Sequence, residues 1–285
     1  MNQVDEYFKK FNADMAKSKG KHSEATAKSY RSHITRFLAY LDGTPLEDVT
    51  PVLVEEYLHH LHVEENKCPG TINACLFALR SFLKYMTGTD EATAGVKRIG
   101  HKYKRRGHIP DEYLNVINDS ALKGKTRDYL FYCVLRYFGL RITEAVRLTL
   151  NDVEMVRGRI ALSVVGKGNK PRLLSMARER DHAFYACLAS HLRGKGPGDP
   201  VFTTSNGQWS SDAARHAFKK LLTDAGLGEH GWTPHSLRHS FVTYKLSQGV
   251  SINVVSELAG HCNSRVTLEV YAHADQADMD KAMDI

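Results

Sequence analysis

Residues 159–176 read RIALSVVGKGNKPRLLSM, two short apolar runs separated by the Gly- and Lys-rich stretch GKGNK. Runs of this length bounded by turn residues predict two strands joined by a tight turn. Nearly everything around them carries the 3.6-residue period of amphipathic helices instead. The hairpin therefore decides the fold class: a mainly α chain whose second, mostly helical domain holds one small antiparallel β-sheet.

Upstream, the spacing predicts a small helical bundle. In residues 23–43, Tyr30, Ile34, Phe37, Leu38 and Leu41 share one face, Ser23 can cap the start, and Gly43 follows the end. In 50–62 the cap is Thr50, Pro51 takes the first helical position, and Val54, Tyr57, Leu58 and Leu61 face inward. Residues 71–88 repeat the pattern through Ile72, Leu76, Leu79, Phe82, Leu83 and Met86, and a further helix is expected near 4–16. Together these make a helical domain over residues 1–95. Residues 96–109 then crowd Lys97, Arg98, Lys102, Lys104, Arg105 and Arg106 around two glycines with no apolar period, as a basic linker does. Dense like charge between two domains is relieved when a polyanion neutralises it, so Lys97, Arg98, Lys104, Arg105 and Arg106 are candidate contacts to a phosphate backbone. The second domain spans 110–285, with helices expected at 126–139, 142–149, 178–193, 211–225, 233–249 and 251–260 around the hairpin.

Composition points the same way. The 285 residues suit two domains with real cores, and 42% hydrophobic with 25% charged residues are ordinary globular values. The formal net charge of +7 favours a polyanionic partner such as nucleic acid. Five cysteines form no CxxC pair, which predicts a reducing compartment rather than a disulfide framework. The polar, acid-bearing N-terminus lacks a secretion-signal pattern, and no apolar run approaches the roughly 20 residues that span a bilayer. A cytoplasmic protein without membrane contact is expected.

Four places in the second domain combine turn or cap signals with charges that a core does not want. In GLRITEAVRL, Arg141 stands at a helix start with Glu144 three positions on; a cation there opposes the macrodipole unless an anion is present. Lys167 lies at the hairpin tip, where it can reach into a cleft. In TPHSLRHSF, Thr233 caps, Pro234 begins the helix, and His235 and Arg238 fall one turn apart. In LAGHCNSRVTLEVYAHA, His261 follows a helix ending at Gly260, and Tyr271 comes ten positions later. Each has a bland reading alone: a surface ion pair, a soluble loop tip, a helix-end histidine. Collected, they supply what transfer of a phosphodiester to a protein hydroxyl needs. Two guanidinium forks hold non-bridging oxygens, a lysine protonates the leaving sugar oxygen, and a base lowers the cost of forming phenolate, about 4 kcal/mol at pH 7 for a pKa near 10.

In order and spacing, Arg141, Lys167, His235, Arg238, His261 and Tyr271 resemble the tyrosine recombinase (phage integrase) family, over about residues 110–274. The helical N-terminal region looks like that family's core-binding, SAM-like domain, and the layout resembles the compact Xer-type or transposon-type members of mobile elements. The resemblance implies a clamp on double-stranded DNA and a homotetramer that exchanges strands through a Holliday junction, without metal or other cofactor. It further implies Tyr271 as nucleophile, Arg141 and Arg238 on the phosphate, Lys167 as general acid, His235 as base and His261 as a phosphate hydrogen-bond donor. A directionality or accessory factor and trans docking of the tail after the tyrosine belong to the same expectation. Two departures stand out: ten positions rather than nine separate His261 from Tyr271, and Ala259 replaces the leucine usual before Gly-His.

Other readings remain open at this point: a metal-dependent nuclease, although the acids are scattered; a type IB topoisomerase; and a catalytically inactive DNA-binding accessory protein. His59, His60 and His62 near Cys68 raise a metal site, but adjacent helical residues point to different faces.

Overall fold

A computed structural model describes residues 3–17, 24–100, 107–166, 170–205 and 207–260. The chain divides into two compact units, residues 1–104 and 105–285.

The first unit is built from helices α1 (Gln3–Lys17), α2 (Glu24–Leu41), α3 (Pro51–Val63) and α4 (Pro69–Thr87). Helix α4 is its axis: Ile72, Cys75, Leu76, Leu79, Phe82 and Leu83 are buried, and α1, α2 and α3 all pack on it. Caps explain the boundaries, Thr50 and Pro51 as the sequence predicts. The Thr50 hydroxyl accepts the Leu53 N–H at 3.3 Å with Pro51 at the first helical position, and Gly88 ends α4 in the left-handed conformation. Ser23 lies outside the described residues. The start of the basic segment is fixed to α4, because the Asn73 amide donates to Ile99 O and accepts from Ile99 N–H, each at 2.9 Å. Arg80 donates to Val96 O beside it.

The second unit is organised around α6 (Thr126–Phe138), whose unbroken run Tyr129–Leu135 is buried on all sides. A helix apolar all round belongs at a core's centre. Around it stand α5 (Asp111–Lys123), α7 (Ile142–Ala145), α8 (His182–His191), α9 (Ser211–Asp224) and α10 (Pro234–Ser247), with α11 (Ile252–Ala259) packed on α10. Strands β1 (Val153–Val156), β2 (Arg159–Val165) and β3 (Pro171–Ala177) form one antiparallel sheet in the order β1-β2-β3, and β4 (Thr203–Thr204) pairs with β5 (Gly207–Gln208). The hairpin is paired to its base, with Val165 opposite Pro171 and Gly166 N–H donating to Lys170 O at 2.9 Å.

Some boundaries differ from the sequence reading. Helix α7 ends at Ala145 rather than 149, because the backbone at 148–150 pairs with the 199–201 segment, Leu148 O accepting from Val201 N–H and Leu150 N–H donating to Asp199 O. Helix α8 starts at His182 because Asp181 caps it, accepting the Phe184 N–H at 2.8 Å, and a short 3₁₀ turn precedes it. Helix α5, strand β1 and the β4/β5 pair were not expected.

Candidate functional site

Three arginines of the second unit converge on one helix end. The last carbonyls of α11 and its cap are each taken by a different guanidinium: Arg172 Nε donates to Leu258 O at 3.0 Å, Arg238 Nη2 to Ala259 O, and Arg141 Nη2 to Gly260 O at 2.7 Å. Helix C-termini carry unsatisfied carbonyls and partial negative charge, which accounts for the attraction. Gly260 adopts φ 65° as the left-handed cap, and a Cβ there would stand 2.8 Å from Arg172 Nη1.

Each arginine arrives from a different element. Arg141 occupies the position before α7; its own N–H donates to Glu144 Oε2 and its Nη1 to Glu144 Oε1, both at 2.8 Å. The bland alternative, a surface ion pair, does not describe the contact: the Glu144 side chain is only 6% exposed and Arg141 31%. Arg238 reaches inward from α10, is 2% exposed, and donates to Gly139 O at 2.8 Å. Gly139 ends α6 at φ 61°, and the Phe241 ring would lie 2.4 Å from an added Cβ, so both backbone geometry and space require glycine. Arg172 comes from β3 and donates Nη2 to Glu144 Oε2 at 2.8 Å.

The electrostatics follow from this crowding. Burial pushes the Glu144 carboxyl up, but hydrogen bonds from Arg172 and from the Arg141 N–H and side chain outweigh it and hold the group below its ordinary range. Burial, then repulsion from Arg141 and Arg172 against the pull of Glu144, lowers Arg238 to about 9. Three cations thus surround one anion in a poorly solvated place, an arrangement that favours an incoming oxyanion.

His235 is exposed at the start of α10, where Thr233 N–H donates to Ser236 Oγ at 3.2 Å and Pro234 fills the first position. It shares a cleft of about 720 Å³ with Arg141, whose other wall is α9 through Arg215, His216 and Lys219. The His235 and His239 rings meet edge-on at 4.5 Å. Burial, followed by the nearby His235, Arg238 and His108, lowers His239 to about 4, so it is neutral at pH 7.

Of the sequence-predicted residues, Arg141, His235 and Arg238 are therefore gathered at one place. Lys167, His261 and Tyr271 lie outside the described residues, although Gly166 and Gly260, which directly precede Lys167 and His261 in the chain, both border the arginine cluster. Lys97 and Arg98 are exposed and, with Arg80, line a groove of about 570 Å³ on the first unit; Lys104, Arg105 and Arg106 lie outside the described residues. Sequence reasoning missed Arg172. Its signal was positional: Arg172 shares the face of β3 that carries the inward Leu174 and Met176, putting an arginine on the core side of a strand.

Among the described residues no three His, Cys, Asp or Glu side chains converge to hold a metal ion. His60 instead faces Glu65 at 3.7 Å and His62 bonds Lys67 O at 3.2 Å. No described helix is long and apolar enough to cross a membrane.

Comparison with known proteins gives a consistent picture. The phage integrase family model matches residues 109–278, and that of the phage integrase N-terminal SAM-like domain matches 7–92. The tyrosine recombinase XerD of Shewanella oneidensis is 30% identical over 96% of this chain and 94% of its own length. A tyrosine recombinase of Pseudothermotoga lettingae is 30% identical over 90% of this chain and 91% of its own. Among solved structures, XerH bound to a palindromic difH substrate in a post-cleavage complex shares the fold, with a TM-score of 0.74, 19% identity, and coverage of 91% of this chain and 79% of that one. XerA recombinase gives 0.53 at 25% identity, covering 98% and 97%. With both domain models matched in order and the arginine cluster inside the larger one, the chain belongs to the phage integrase family of tyrosine recombinases.

Proposed function

We propose that this chain is a site-specific DNA recombinase that cleaves and rejoins duplex DNA through a 3′-phosphotyrosyl intermediate. The observation that carries the reading is the convergence of Arg141 and Arg238 on the end of α11, next to the cleft that Arg141 shares with His235. Arg141 and Arg238 hold the non-bridging oxygens of the scissile phosphate and stabilise the charge that grows there. The Tyr271 oxygen attacks phosphorus while its proton passes to His235. The bond from phosphorus to O5′ breaks as Lys167 delivers a proton to O5′, and His261 donates to the phosphate. The products are a phosphotyrosyl link on the 3′ side and a free 5′-hydroxyl. Attack by the 5′-hydroxyl of a partner strand reverses these steps, so the phosphodiester energy is conserved without ATP or metal.

Within this reading, residues 1–95 bind DNA as the core-binding domain, 96–109 link it along the duplex through Lys97, Arg98, Lys104, Arg105 and Arg106, and 110–285 carry catalysis. Four protomers on DNA exchange strands in pairs through a Holliday junction, in integration and excision of a mobile element or in dimer resolution, in the cytoplasm and with an accessory factor setting direction. The similarity to XerD and to XerH in complex with difH supports DNA as partner. The test is covalent trapping on nicked fragments from DNA flanking the gene, in excess chelator. Wild type is expected to accumulate protein-linked strands and Tyr271→Phe none; tight binding with no adduct from wild type would contradict the reading.

A further inference from the structure

The geometry points to Arg172 as a positioning residue for the general acid: its buried guanidinium ties the β2–β3 hairpin, which carries Lys167, to Glu144 beside Arg141 and to the end of α11. This rests on the proposed role of Lys167.

The Arg172 side chain is only 9% exposed, yet it makes three attachments. Nη2 and Nη1 donate to the two Glu144 oxygens at 2.8 and 3.3 Å, and Nε donates to Leu258 O at 3.0 Å. Because Glu144 also takes the Arg141 N–H and Nη1, one carboxylate joins the phosphate-holding arginine to the hairpin arginine. The guanidinium is sandwiched between two glycines. A Cβ at Gly166 would stand 3.2 Å from Arg172 Nη1, and one at Gly260 2.8 Å from the same atom. Those glycines directly precede Lys167 and His261 in the chain. The fork therefore sets the separation of the two segments from which the acid and the second histidine emerge, while its planar, multi-donor shape fits all three attachments at once. A lysine there keeps the charge but cannot span Glu144 and Leu258 O.

The chemistry supplies a readout that loss of folding does not move. When the leaving O5′ is replaced by sulfur, a thiolate departs without a proton, since a thiol pKa is about 8.5 against about 15.7 for water. A defect in proton delivery is then rescued, and a defect in holding the phosphate is not. We expect Arg172→Gln and Lys167→Ala to slow cleavage of ordinary DNA about 100-fold or more, and both to return within about 10-fold of wild type on the sulfur substrate. Arg141→Ala should stay impaired on both. Lys167→Ala rescued while Arg172→Gln is not, or Arg172→Gln active on both, overturns the positioning role alone. Lys167→Ala unrescued overturns the general-acid reading and this inference with it. Should Arg172→Gln fail to fold, Arg172→Lys and Gly166→Ala carry the same test, the latter moving the guanidinium by its 3.2 Å contact without removing its charge; each must show the rescued pattern.

Discussion

Both units carry exposed ion pairs, but among the described residues only the second also buries charge. In the first, the ion pairs lie outside an apolar core: the Arg31 and Asp5 side chains are 50% and 55% exposed, and Lys84 and Asp90 61% and 66%. In the second, Arg238 and the Glu144 and Arg172 side chains are nearly sealed from solvent, with three cations to one anion. Burying charge without full compensation is unfavourable for folding. An incoming oxyanion would compensate such an arrangement, so the first unit keeps its charge on the surface and the second builds a site from buried charge.

This contrast can be broken at several points. The largest effect should come from the first unit's core: Phe82→Ala, at a fully buried position, is expected to destabilise by about 3–5 kcal/mol in denaturant unfolding. A much smaller loss would mean that the core around Phe82 collapses into the space and is not the close-packed scaffold described. Arg238→Lys should lower the cleavage rate by about 10²–10³-fold, because a point charge cannot bond both Gly139 O and Ala259 O and still offer a fork to phosphate. Near-normal cleavage would remove Arg238 from the site.

Acid should weaken the second unit. His239 has a folded value near 4 against 6.5, so the unfolded chain takes up its proton first; the stability this group preserves is complete above pH 6.5 and fades as pH falls toward 4. The depressed Glu144 acts in the same direction, its contribution being lost as pH drops through its lowered value. Melting temperature against pH should therefore decline below 6.5, and His239→Gln should flatten the upper part of that decline. A curve of unchanged slope would deny the burial of a neutral imidazole. The smallest stability effect belongs to Lys97→Ala with Arg98→Ala, both exposed, which should leave melting unchanged and reduce the slope of log binding constant against log salt by about 2. An unaltered slope would remove both from the DNA interface.

The same contrast explains what the sequence revealed. Helices α2, α3 and α4 were legible because their buried residues recur at helical spacing and Thr50, Pro51 and Gly88 punctuate them. Helix α5 escaped because only Leu114, Ile117 and Ala121 are buried, while Val116 and Leu122 face solvent and blur the helical period. Strand β1 has four residues and alternates weakly. At the site, Arg141, His235 and Arg238 announced themselves as cations at caps and turns, where local rules disfavour them. Arg172 did not, because its role depends on Gly166, Gly260 and Glu144, which meet it only through tertiary packing. Local conflict was visible in the sequence, whereas its resolution by distant partners was not.

The central claim is tested most directly by locating the bond to DNA. The protein would be trapped on nicked substrate in chelator and digested with trypsin and nuclease, and the nucleotide-bearing peptide sequenced by mass spectrometry. The account predicts a phosphonucleotide on residues 266–281, VTLEVYAHADQADMDK, whose single tyrosine is Tyr271. A nucleotide on any other residue, or DNA cleaved with no protein attached, would contradict it.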